Sequence, residues 1–224
     1  MKRCAIALCM MLTIGLACEL PAFDRNAAGQ PDSETPAAAD VLFQDDFSNP
    51  GAGDWHTDTD PQFSLAIEDG VFQFLISVPD VLVWSPAGQS FEDVRIDVDA
   101  EKIDGPDEAE FGVICRYTKD ESGSFSYYYF LITGDRHAKI GKVIDSEAIQ
   151  ISGDFRFEQI EKGDVSNRIS AECIGNQLTL YVNNSEILVV ADDTLSEGDV
   201  GLVATTSDQG EMHVEFDNFV VSER

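Results

Sequence analysis

Basic residues are scarce in this sequence. Fourteen Lys and Arg stand against 42 Asp and Glu in 224 residues, a formal net charge of −28 at pH 7. A surface of that sign repels phosphate backbones and anionic headgroups, which argues against nucleic acid as a partner and against peripheral attachment to acidic membranes. Histidine is scarcer still. His56, His137 and His213 lie far apart, with no Cys-x-x-Cys or His pair beside them, so a zinc centre lacks a ligand set. There is no Gly-x-Ser-x-Gly elbow and no glycine loop to cradle phosphates, which leaves serine-hydrolase and nucleotide-binding chemistry without their parts. No stretch carries a helical period of usable length, and the apolar run from Ala5 to Ala17 is too brief to span a bilayer comfortably.

That run has a different reading. Lys2 and Arg3 head it, so residues 1–17 read as a signal peptide. Its end, Ile14-Gly15-Leu16-Ala17-Cys18, resembles the lipobox of bacterial lipoproteins, which implies lipidation of Cys18 as the mature N-terminus. Gly15 departs from the larger apolar residue of that family, which leaves ordinary cleavage and release open. Residues 18–40 then read as the anchor cysteine and a tether, rich in Ala, Pro and Asp and without apolar periodicity. The expected place of the protein is exported, at the cell surface or outside the cell, with the membrane touched only through a lipid.

From Val41 the pattern changes to short alternating runs broken by Gly, Asp and Asn, and residues 41–222 read as one all-β domain. FSLAIEDGVFQFLIS predicts a hairpin turning at Glu68-Asp69-Gly70, and VLVWSPA a short strand ending at Pro86. DVRIDVDAEKI puts Val94, Ile96, Val98 and Ala100 on one face and Arg95, Asp97, Asp99 and Glu101 on the other. Phe111, Val113, Cys115 and Tyr117 share a face by the same count. In NRISAECIGNQLTLYVNN, a two-residue loop at Gly175-Asn176 pairs Cys173 with Leu178, Ala171 with Leu180 and Ile169 with Val182, and a one-residue slip would bury polar side chains. The closing EMHVEFDNFVV points Met212, Val214, Phe216 and Val220 inward. Roughly twelve to fourteen strands result, arranged as a two-sheet antiparallel jelly-roll sandwich.

The strings DVRIDVDAEKIDGPDEAEFGVICRY, YYFLI, NRISAECIGNQLTLYVNN, EGDVGLVA and FDNFVV together resemble the concanavalin A-like, laminin-G-like jelly-roll domains of bacterial surface lipoproteins. The nearest named relatives of that type are 3-keto-disaccharide hydrolase-like domains. Strand and turn residues carry the resemblance, so it implies architecture and not an active site.

Cys115 and Cys173 both face inward from strands, and in an exported protein two such cysteines are expected to form a disulfide. Asp97, Asp99 and Glu101 alternate on one strand about 6–7 Å apart, a separation of the kind two-carboxylate glycosidases use. They also resemble the carboxylate strand of laminarinase-type glycosidases, whose motif begins with Glu where this chain has Asp97. Arg95 on the same face keeps neighbouring carboxylates ionised, which opposes an acid catalyst and favours a solvated outer face. No cofactor motif is present. The acidic loops offer oxygen ligands for a structural Ca²⁺: Asp54, Asp58 and Asp60; Asp104, Asp107 and Glu108; and Asp45 and Asp46 with Asp217, if the first and last strands pair.

Alternation sets Tyr127 and Tyr129 against Tyr128 and Phe130, so one pair belongs to the core and the other is free to line a sheet face. Tyr127, Tyr129, Trp55 and Trp84 are the candidate sugar platforms. The resulting expectation is a non-catalytic module that recognises an extracellular glycan or another surface component. The alternatives are a carbohydrate-active hydrolase or lyase, and a structural or adhesive accessory without a small ligand.

Overall fold

The computed structural model describes residues 40–224. The predicted signal segment 1–17, the lipidation candidate Cys18 and the tether as far as residue 39 lie outside the described residues. Two antiparallel sheets face each other, and no helix occurs among the described residues.

The nine-stranded sheet is built from β1 (Val41–Asp45), β2 (Asp58–Thr59), β3 (Phe63–Glu68), β4 (Val71–Ile76), β6 (Val94–Asp104), β12 (Ser166–Ile174), β13 (Gln177–Val182), β14 (Ser185–Ala191) and β16 (Met212–Glu223). Its order is β14-β13-β12-β6-β16-β4-β3-β2, and β1 pairs with the second half of β16. The seven-stranded sheet contains β5 (Leu82–Phe91), β7 (Glu110–Lys119), β8 (Phe125–Thr133), β9 (His137–Ile144), β10 (Glu147–Gln150), β11 (Phe155–Arg156) and β15 (Gly198–Thr205). The order there is β10-β9-β8-β7-β15-β5, with β11 on β9.

Local chemistry explains the hairpins. Asp69-Gly70, Asp145-Ser146 and Asn183-Asn184 each place two successive residues at positive φ between paired strands, the twist that matches two-residue β-turns. The β12–β13 register is the one the alternation demands, with Cys173 opposite Leu178, Ala171 opposite Leu180 and Ile169 opposite Val182. Val94, Ile96, Val98 and Ala100 are all buried between the sheets.

Four expectations need correction. β5 does not stop at Pro86 but runs on to Phe91; it is the edge strand, where a missing N–H on the open side breaks no ladder. Tyr117 does not share the face of Cys115, because a bulge with Arg116 at φ 55° turns the strand over between them. Likewise Asn218, at φ 53°, interrupts β16 so that Phe219 and Val221, not Val220, point into the core. Trp55, a candidate sugar platform, is instead a core residue. Its ring packs 5.0–5.6 Å from those of Phe219, Phe47 and Phe72, and its Nε1 donates to Asp45 Oδ2 at 2.9 Å.

Two features tie the sheets together. A disulfide joins Cys115 of β7 to Cys173 of β12 across the core. Farther along, the Tyr128 hydroxyl donates to Asp192 Oδ1 at 2.6 Å while Lys142 Nζ donates to Oδ2 at 2.6 Å. Burial pushes the Asp192 carboxyl up, but hydrogen bonds from Lys142, Thr194 and Tyr128 outweigh it and hold the group well below the usual carboxylate range.

Candidate functional site

A sandwich normally wets the outer faces of its sheets. Here the outer face of the seven-stranded sheet carries a second apolar cluster of Ile114, Tyr127, Tyr129, Leu131, Val143 and Val203, with Trp84, Tyr117 and Phe125 half-buried against it. Trp84 comes from β5 and Phe125 from β8, with β15 and β7 between them, yet their ring centroids lie 4.4 Å apart. The two rings therefore roof the sheet. Tyr127 lies beneath, stacked 6.0 Å from Phe125, with the tilted ring of Tyr117 6.1 Å away.

Tyr128 and Phe130 are thus the core pair, and Tyr127 and Tyr129 the outer pair, but the outer pair is also buried. As free sugar platforms these two are corrected: their faces are covered by neighbouring aromatics or packed onto backbone. The Tyr129 ring lies over Gly141, where a Cβ would stand 2.1 Å from it, so glycine is required at that position. Burial, with the charge of Glu110 adding to it, pushes the Tyr129 phenol up to about 12. Burial raises Tyr127 further, and its hydroxyl finds no hydrogen-bond partner among the described residues. Since an unpaired buried hydroxyl costs about 1–3 kcal/mol, Tyr127→Phe should keep or raise stability, by up to about 1 kcal/mol, in urea unfolding. A loss above 1 kcal/mol would assign that hydroxyl a partner.

At the Trp84 end of this aromatic surface a pocket of ≈ 430 Å³ opens, lined by His56, Phe63, Leu65, Leu82, Val83, Trp84, Pro86, Tyr117 and Lys119. Edge strand β5 supplies one wall, β3 of the other sheet a second, and the end of β7 contributes Tyr117 and Lys119. Ser85 fixes the loop that carries His56, its hydroxyl donating to the His56 carbonyl at 2.9 Å. The walls are mostly apolar, with exposed His56 and Lys119 at the rim and no carboxylate among the lining residues. Of the candidate sugar platforms in the sequence, only Trp84 lines this pocket. Tyr117, His56 and Lys119 are not among those candidates, and the alternation count places Tyr117 inward because the bulge that turns it outward is marked by no glycine.

The other candidates lie elsewhere. Asp97, Asp99 and Glu101 are on the outer face of the nine-stranded sheet. Asp97 accepts from Arg95 at 3.0 Å and from the Ser170 hydroxyl at 2.5 Å; Asp99 accepts from Arg168 at 2.8 Å and Asn218 at 3.0 Å. β1 and β16 do pair, but Asp45 turns inward to Trp55 while Asp217 sits opposite Asp99 on the outer face. The two carboxylates do not meet. Among the described residues no group of three or more His, Cys, Asp and Glu side chains is arranged to hold a metal ion.

Two sheets of this order and a groove at their edge can be compared with known proteins. No protein-family model and no curated protein matches the chain. Solved structures do. A Bacillus subtilis carbohydrate binding module, CBM66, superposes with a TM-score of 0.57 at 19% identity, covering 75% of this chain and 95% of that one. A Bacillus subtilis protein of unknown function with a galectin-like fold gives 0.65 at 12% identity, covering 82% and 96%. Bacillus licheniformis β-glucanase gives 0.59 at 9% identity, covering 81% and 98%. The shared feature is the jelly-roll fold. At these identities the likeness reaches the two-sheet antiparallel sandwich and stops there.

Proposed function

We propose that this protein is a glycan-binding module, exported and anchored through Cys18 behind its 18–40 tether, and that the pocket beside Trp84 receives a sugar ring. One observation carries the reading: the half-buried aromatic rings of Trp84 and Tyr117 border an apolar pocket whose rim carries hydrogen-bonding groups but no carboxylate. Pyranose rings present C–H faces that stack on such rings, while His56 and Lys119 supply polar contacts. The fold likeness to a carbohydrate binding module supports that class of ligand.

Hydrolysis asks for a different arrangement, two carboxylates facing one cleft at a defined separation. The three carboxylates of β6 stand on the outer face of the other sheet, away from the Trp84 pocket, with Asp97 paired to Arg95 and Asp99 to Arg168.

A glycan array with the full chain, with and without calcium, should retain at least one oligosaccharide. Trp84→Ala should weaken that binding by tenfold or more, the effect of losing a central aromatic anchor, measured well below the lowered Tm that follows from removing a ring packed on Phe125. An array on which no sugar is retained would sink the proposal.

A further inference from the structure

Acidic residues outnumber basic ones threefold in this chain, 42 to 14, yet none lines the Trp84 pocket. Its two ionisable groups besides Tyr117 are His56 and Lys119, and both are exposed. The state of Lys119 is unusual for this protein. Every other described Arg and Lys except Lys162 lies within 4.0 Å of a carboxylate: Arg95 on Asp97, Lys102 on Asp107, Arg116 on Asp93, Arg136 and Arg156 on Glu158, Lys139 on Glu110, Lys142 on Asp192, Arg168 on Asp99 and Arg224 on Glu172.

Lys119 has an acidic neighbour in sequence but not in use. The carboxylate of Asp120 is turned into the β7–β8 turn, where Oδ1 accepts from Ser122 N at 2.9 Å, Ser122 Oγ at 2.7 Å and Ser124 N at 2.9 Å. Those bonds keep Asp120 in the turn and leave the Lys119 ammonium unpaired among the described residues. In a surface this acidic, an unpaired cation beside a pocket with no carboxylate is a local reversal of charge, and a reversal of that kind selects its complement.

Building on the glycan-binding reading, we propose that the pocket selects an acidic sugar, its ring against Trp84 and its anionic group, a carboxylate or a sulfate ester, on Lys119. Lysine suits this role because its ammonium is a point charge with three rotatable donors and does not impose the planar two-point geometry of arginine. The protein's overall charge repels polyanions at long range, so recognition is confined to chains that reach this one pocket.

The test is isothermal titration calorimetry of the full chain with oligogalacturonate, oligomannuronate and hyaluronan oligosaccharides, each against its carboxyl-reduced neutral form, and with a sulfated galactan oligosaccharide against its desulfated form. At least one acidic member should bind about tenfold more tightly than its neutral partner at low salt. That preference should shrink toward unity at about 0.5 M salt, where exposed charges are screened. Lys119→Gln should remove the preference and Lys162→Gln should keep it. Preference for sulfate alone or for carboxylate alone supports the proposal and names the group. Equal binding of acidic and neutral partners, or a preference that survives Lys119→Gln, overturns it while the glycan-binding reading stands. Loss of all glycan binding, neutral and acidic, overturns both.

Discussion

Replacing Cys115 and Cys173 together by alanine should destabilise the domain by about 4 kcal/mol, through the unfolded-state entropy of a closed loop of this length. The two cysteines are 58 residues apart and are fully buried in opposite sheets. The loop between them holds the second half of β7, all of β8 to β11 and most of β12, so opening it frees much of the seven-stranded sheet in the denatured chain. For a domain of this size the loss corresponds to a fall in Tm of roughly 8–16 °C. Alanine is the right replacement, since serine would bury two hydroxyls without partners. Urea unfolding separates the causes. If the bridge acts through the unfolded state, the double variant should also show a larger m-value, because its denatured chain exposes more surface. A loss below 1 kcal/mol with an unchanged m-value would mean the bridge contributes little beyond packing.

Which parts of this molecule were legible in its residues follows from how far each signal reaches along the chain. The β12–β13 hairpin was legible in full, because period-2 alternation and a two-residue loop at Gly175-Asn176 fix every pair locally. The inward face of β6 was legible for the same reason. A plain alternation count fails where the backbone changes face without a glycine to announce it. Arg116 and Asn218 are both non-glycine residues at positive φ, and the count carried past them misplaced Tyr117 and Val220. The aromatic roof was invisible for a different reason. Trp84 and Phe125 meet only because the sheet order places β15 and β7 between β5 and β8, and no local pattern encodes that order. Parity alone could assign Tyr127 and Tyr129 to one side of β8, but burial of that side depends on those distant rings. The pocket inherits the same difficulty, since its lining comes from the His56 loop, β3, β5 and β7.

Arg116 itself should be the costliest single side chain to lose at this end of the sandwich. It is buried beside Cys115, and its guanidinium donates to the carbonyls of Glu92 at 3.3 Å, Gly175 at 2.9 Å and Leu195 at 2.7 Å, and to Asp93 Oδ1 at 3.3 Å. Asp93 also accepts from Gly175 N at 2.7 Å, so one cation gathers the β5–β6 turn, the β12–β13 turn and the segment before β15. Arg116→Ala leaves three carbonyls without their donor and Asp93 without its cation. Because Asp93 is half-exposed and water can reach it, the expected loss is at the lower end of the range for a broken buried pair, about 3 kcal/mol. The backbone provides an internal control. At φ 55° alanine is strained and glycine is not, so Arg116→Gly should be more stable than Arg116→Ala by roughly 1 kcal/mol. Equal stability of the two variants would show that the bulge relaxes once the guanidinium is gone. Because the guanidinium and the disulfide both brace β7 against the β12–β13 hairpin, their removals should not add. Once the disulfide is absent, Arg116→Ala should cost less than it does in the bridged protein, since the hairpin it holds is already freer to move, and a double-mutant cycle in urea reads that coupling directly.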